Sequence, residues 1–175
     1  MLAAIPDHIQ QGLKVLFVGF NPSLRSGETG HHYANPRNRF WTILYRSGLT
    51  DRLYHADEDQ DLIALGYGFT NIVSRPTRTA AEISTEEYAA GRINLLRKIT
   101  LYRPQVVCFV GKGVYHAFSS KDAVWGYQSE PIVEGTAAFV APSSSGLVRM
   151  KLEEIVDIYR QLAVGLALPK RHQQQ

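Results

Sequence analysis

Four short apolar runs constrain this chain most: Val15–Val18, roughly Phe69–Val73, Val106–Val110 and Ala137–Ala141. Each has strand length and is bounded by turn residues. Helical segments lie between them. Phe40–Tyr45 carries bulky apolar residues after the polar Pro36-Arg37-Asn38-Arg39, and Ser84-Thr85-Glu86-Glu87 is a capping box opening a helix that runs to about Ile99. Towards the end, Leu152, Ile155, Val156, Tyr159, Leu162 and Ala163 recur at helical spacing and form one apolar face. Strands alternating with helices pair in parallel and are covered on both faces. The expected fold class is therefore α/β, a single-domain three-layer α/β/α sandwich with a mostly parallel central sheet. No internal repeat or Gly/Ser linker divides the chain, so residues 1–169 read as one domain and 170–175 as a polar, disordered tail.

Composition narrows what such a domain does. The 175 residues are 45% apolar and 20% charged, as in an ordinary soluble globular protein with one substantial core. A net charge of +3 and a pI of about 9.0 admit a polyanionic partner without requiring one. Cys108 is the only cysteine. That excludes an intrachain disulfide, a four-thiolate iron–sulfur cluster and a cysteine-rich zinc site. Met1–Gln10 holds no long apolar run, so it reads as neither a signal peptide nor a membrane span. The expectation is a cytosolic monomer without cofactor, metal or membrane contact.

In an open parallel sheet, ligands collect beyond the carboxyl ends of the strands. Three polar segments converge there: Gly19-Phe20-Asn21-Pro22-Ser23 after the first strand, Asn71 in the second, and Pro142-Ser143-Ser144-Ser145-Gly146-Leu147 after the fourth. Neither Gly27 with Gly30 nor Gly111-Lys112-Gly113 completes a phosphate loop or a dinucleotide fingerprint. Asn21, fixed by Pro22, either caps a turn or orients a water molecule through its amide. His31-His32-Tyr33 lacks the further ligands a zinc site needs. Its Tyr is either a partly buried turn residue or a stacking surface for a flat base, with the histidines able to bond to base or phosphate. The three serines supply hydroxyls and backbone donors suited to phosphate oxygens. Leu147, with Arg149 close behind, is either a hydrophobic staple for the last helix or a wedge between base pairs.

Together these segments resemble the mismatch-specific uracil/thymine DNA glycosylase family, from about Leu13 to about Leu162. Gly19-Phe20-Asn21-Pro22-Ser23 is similar to the Gly-Ile-Asn-Pro-Gly motif of the bacterial branch. Gly30-His31-His32-Tyr33, Asn38-Arg39-Phe40-Trp41, Gly68-Phe69-Thr70-Asn71 and Ser143-Ser144-Ser145 resemble the thymine DNA glycosylase branch, whereas Gly146-Leu147 and Arg149 resemble the bacterial wedge. The resemblance implies a uracil-DNA-glycosylase-like fold and a monofunctional hydrolase of base-excision repair. Its substrate would be double-stranded DNA with a mismatched or damaged pyrimidine.

The resemblance also implies residue roles. Asn21 positions the attacking water, Tyr33 stacks on the flipped pyrimidine, Asn71 bonds to its polar edge, and backbone groups near Phe20 and Ser23 contact it. On the DNA side, Ser143 and Ser145 grip phosphates, Leu147 fills the vacated stack, Gly146 and Arg149 read the opposite guanine, and His32 contacts the DNA. Two departures from the family matter. Ser23 stands where the family has a Gly that lets the pyrimidine approach, and Ser143-Ser144 and Val148 replace bacterial Asn-Pro and Ser. The competing expectations are a broad uracil glycosylase that also acts on single strands and A·U, a non-catalytic binder of distorted duplexes, and a nucleotide-binding α/β protein unrelated to DNA.

Overall fold

The computed structural model describes residues 2–173, with side chains through Leu166. A five-stranded sheet runs in the order β2-β1-β3-β5-β4. Its strands are β1 (Val15–Gly19), β2 (Tyr67–Asn71), β3 (Val106–Val110), β4 (Gly126–Tyr127) and β5 (Ala137–Ala141). β1, β2, β3 and β5 are mutually parallel, and the two-residue β4 pairs antiparallel to the edge of β5. The helices are α1 (Leu24–Thr29), α2 (Phe40–Arg46), α3 (Thr85–Tyr102), α4 (Lys112–Ser119) and α5 (Leu152–Gln173). A 3₁₀ segment spans Ala56–Leu65. The side chains of the expected polar tail, 170–175, lie outside the described residues.

The four expected strands form the parallel core of this α/β sandwich. β2 starts two residues before the apolar run suggested. Gly66, at φ 90°, makes the turn into it, and Tyr67 then pairs with Val15. Ile72 and Val73 continue beyond the strand, donating their N–H groups to the Gly19 and Phe20 carbonyls at 3.0 and 2.9 Å. β4 is not anticipated from the residues, because two residues are too short a run for any periodicity to register.

Strand alternation divides the core between the two faces. Val15, Phe17, Phe69, Cys108 and Phe139 pack against α2, α5 and the 3₁₀ segment. Leu16, Val18, Val107, Phe109 and Val140 pack against α3 and α4. The capping box opens α3 as read: Ser84 Oγ accepts the Glu87 N–H while Glu87 accepts the Ser84 N–H. At Gly91 this helix lies so close to the sheet that a side chain would collide with the Ile72 carbonyl. The close fit fixes the loop between β2 and α3 over the end of β1.

Candidate active site

Beyond Gly19, β1 turns at Pro22 into α1. Asn21 Nδ2 donates two hydrogen bonds of 2.7 Å, to the Arg75 carbonyl and to Thr77 Oγ1. Thr77 itself donates to the Thr79 carbonyl at 2.7 Å, so towards Asn21 its hydroxyl accepts. Both partners of Asn21 are thus acceptors, which settles the amide's orientation on chemical grounds. Among the described residues nothing hydrogen-bonds to Oδ1, leaving that oxygen to accept a hydrogen bond from a water molecule. Arg75 is held in turn by Glu87 through two bonds of 2.9 Å. The Arg75 bond lowers the Glu87 pKa to about 2, with the Ser84 N–H acting in the same sense, so this carboxylate is a fixed anchor rather than a base.

Ser23 caps α1. Its Oγ accepts the Ser26 N–H at 3.1 Å and donates to Ser26 Oγ at 3.3 Å. The side chain is therefore turned into the helix. Ser26 Oγ also accepts the Ala34 N–H at 3.2 Å, which ties the Asn21 segment to the loop bearing Tyr33. Tyr33 stacks on Phe40 with ring centroids 3.9 Å apart and planes within 8°. The aromatic ring of Phe20 turns away from the rim and packs edge-on against Tyr88 beside Gly113, leaving only its backbone at the end of β1. Asn71 pairs in register with Gly19. A Cβ on Gly19 would lie 2.9 Å from Asn71 Oδ1 and 3.7 Å from the Tyr33 hydroxyl, so these two groups converge over the bare end of β1.

His32 requires correction as a DNA contact. It is 3% exposed, its ring stacks on Phe69, its Nε2–H donates to the Pro6 carbonyl at 2.9 Å, and its backbone N–H donates to Asp59 at 2.8 Å. Burial lowers its pKa to about 4, with His8 acting in the same direction against the Pro6 bond. It is a neutral structural residue. His8, His32 and Asp59 place possible metal ligands within 4.8 Å of one another, a grouping the sequence did not reveal. However, the two Asp59 oxygens already accept from His31 Nδ1 and from His32 N–H. The cluster works as a clamp on the 31–33 loop.

The serine loop after β5 forms the opposite side of the rim. Tyr159, fully buried, donates to the Pro142 carbonyl at 2.9 Å. Ser143 Oγ accepts the Ser145 N–H and Ser145 Oγ accepts the Leu147 N–H, both at 3.2 Å. Each hydroxyl so engaged keeps its proton to donate, as an acceptor-only phosphate oxygen needs. Arg39, not singled out from sequence, donates its backbone N–H to the Ser144 carbonyl at 2.9 Å and its Nη2 to the Ser145 carbonyl at 3.2 Å. Gly146 lies against the Arg37 backbone, where a Cβ would come within 2.6 Å of its carbonyl oxygen. Leu147 is 88% exposed, and Val148 rather than Leu147 packs on the core, so the staple geometry is not formed. Arg149 is exposed beside it.

A separate cleft of about 330 Å³ follows the outer edge of β2, lined by Asp7, Arg75, Glu87, Asn94 and Lys98, and shares Asn71 with the rim. Its charges are paired, Lys98 with Asp7 at 2.5 Å and Arg75 with Glu87. It backs the site rather than opening it.

Known structures share this architecture. A solution structure from Methanosarcina acetivorans, provisionally titled a uracil DNA glycosylase, superposes with a TM-score of 0.57. It is 19% identical, with 92% of this chain and 98% of that one covered. At that identity the likeness establishes the fold. The sequence model of the uracil DNA glycosylase superfamily matches residues 6–163, which span both the Asn21 segment and the serine loop. This chain belongs to the uracil DNA glycosylase superfamily.

Proposed function

We propose that the protein is a monofunctional, mismatch-directed DNA glycosylase that extrudes uracil, and thymine or other modified pyrimidines more slowly, from G·U and G·T pairs. The observation that carries this reading is the locked Asn21 amide, whose Nδ2 is taken by two acceptors while Oδ1 stays open at the rim. An Oδ1 so fixed accepts a hydrogen bond from one water and turns the water's lone pair towards the sugar.

Extrusion costs a few kcal/mol and less at a mismatch, where pairing is already poor. Leu147 occupies the vacated stack, Ser143 and Ser145 donate to flanking phosphates, and Gly146 with Arg149 faces the opposite guanine. Tyr33 and Asn71 receive the base. Bond breaking leaves an oxocarbenium-like sugar and an anionic base, which positioned donors stabilise by roughly 3 kcal/mol each. An amide is no strong base, and Glu87 is bound to Arg75. Forgoing general-base help costs on the order of 10²–10⁴ in rate. The enzyme is therefore slow and favours pyrimidines whose N1 anion leaves readily.

The test is abasic-site formation on a labelled duplex holding one G·U pair, for wild type and Asn21→Ala. Cleavage by wild type and none by the variant, with duplex affinity retained, is the expected result. Equal cleavage by both removes Asn21 from the chemistry. Tight binding with no cleavage by either turns the protein into a binder of distorted duplexes. The same assay on a single strand separates the mismatch-directed reading from a broad uracil glycosylase, since a wedge has no stack to enter there.

A further inference from the structure

Tyr33 carries a feature that base stacking does not require. Its hydroxyl is buried without a hydrogen-bond partner. Leaving such a group unpaired forfeits the hydrogen bonds it makes in water. Its backbone is also left-handed, at φ 51°, a conformation that crowds the Cβ of any non-glycine residue. The surroundings enforce this placement. Phe40 holds the ring, Trp41 Nε1–H donates to the Tyr33 carbonyl at 3.1 Å, and the Asp59 clamp fixes His31 and His32 just before it. Phenylalanine would stack equally well and leave nothing unpaired. The hydroxyl therefore points to a second function, and strain held in place at a rim is where such a function is expected.

The two groups that converge over Gly19 are this hydroxyl and Asn71 Oδ1. Among the described residues no group hydrogen-bonds to the Asn71 amide, so in the free protein it can turn either its oxygen or its nitrogen towards a ligand. The two orientations select opposite partners. A forward Nδ2 donates to the O4 of a 4-oxo pyrimidine, whereas a forward Oδ1 accepts from the amine of a 4-amino pyrimidine. Burial, with Cys108 adding to it, raises the phenol pKa far above its ordinary value, so the hydroxyl keeps its proton.

We infer that Tyr33 is a specificity-positioning residue. When the base enters, its hydroxyl donates to Asn71 Oδ1 and holds Asn71 Nδ2 towards the 4-position of the pyrimidine. The site then takes 4-oxo pyrimidines and rejects 4-amino ones, because an amine facing an amide N–H leaves two donors opposed. This rests on the glycosylase reading above and adds to it the group that sets base choice.

The experiment compares kcat/KM for 5-fluorouracil and 5-fluorocytosine, each opposite guanine in an otherwise identical duplex, in wild type and Tyr33→Phe. The ring and its stacking remain, so affinity for abasic product should not change. The expected result is a fall of about tenfold in the preference for 5-fluorouracil, the worth of one well-placed hydrogen bond. An equal effect on both bases, or none, overturns the inference. A second readout needs no turnover: the side-chain amide signal of Asn71, identified by its loss in Asn71→Asp. It is followed as each protein binds a duplex with 2′-fluoro-deoxyuridine opposite guanine. Protection of that amide in wild type and its loss in Tyr33→Phe support the inference; identical signals overturn it. If wild type binds this duplex yet releases neither base, the glycosylase reading fails while the amide signal still decides the hydroxyl's role.

Discussion

Thr77 stands 56 positions after Asn21 in the chain and 2.7 Å from it in space. It holds one of the two amide protons whose capture leaves Asn21 Oδ1 facing out. Thr77→Val keeps the volume and removes that acceptor, freeing the amide to rotate. The expected outcome is a fall of about fivefold in the single-turnover rate of uracil release, since one hydrogen bond contributes about 1 kcal/mol. Substrate affinity should be unaltered, and Thr77→Ser should restore the rate. A Val variant as fast as wild type would mean that the Arg75 carbonyl alone orients Asn21. Asn21 itself was visible in the sequence, because a strand running into Asn-Pro fixes that side chain locally. Thr77 was not, because its role exists only once the loop before α3 folds back over β1. His32 misled for the same reason: a histidine in a polar loop looks alike whether it faces DNA or Phe69, and its deciding contacts, Pro6, Asp59 and Phe69, are 26, 27 and 37 positions away.

At the scale of elements, the serine loop is a well-anchored mount for one exposed apolar contact. Tyr159 anchors its start, Arg39 bonds to its middle carbonyls, Val148 seats its end in the core, and the Leu147 side chain stands in solvent. An apolar side chain 88% exposed contributes almost nothing to stability. Leu147→Ala should therefore leave the melting temperature within about 1 °C, since a negligible ΔΔG moves Tm little in a domain of this size. It should nonetheless slow uracil release from duplex DNA by about tenfold or more. Melting curves and uracil excision from a G·U duplex check this, and an unchanged excision rate would assign Leu147 to something other than opening the stack. The apolar runs and the capping box were legible because each is a local pattern. Whether Leu147 capped the last helix or stood free was not, since the choice depends on which of two neighbouring apolar residues the core accepts, and it accepts Val148.

Over the whole molecule, the clamp that sets Tyr33 also makes stability depend on pH. His32 is buried neutral, with its pKa lowered to about 4 from 6.5. The unfolded chain therefore binds a proton between those values that the native chain does not. Stability from this residue is fully present above pH 6.5 and is lost as pH falls towards 4. From pH 7.5 to pH 5 the loss amounts to about 2 kcal/mol, at 1.36 kcal/mol per pK unit. The carboxylates held low by cationic partners, Glu58, Glu87 and Glu130, add their losses only below their ordinary value of 4.5. The window from 7.5 to 5 thus isolates the histidine. Urea unfolding at both pH values should show the drop in wild type and a nearly flat profile in His32→Gln. The Gln amide can still donate to the Pro6 carbonyl but has no proton to gain. The acid limb should carry activity with it, because protonating His32 loosens the loop that joins the N-terminal segment, the 3₁₀ segment and Tyr33. Uracil release by wild type should then fall as pH approaches 4, where native His32 gains its proton, more steeply than release by His32→Gln. If both proteins lose activity together, the acid sensitivity lies in the chemistry at Asn21 and not in the clamp.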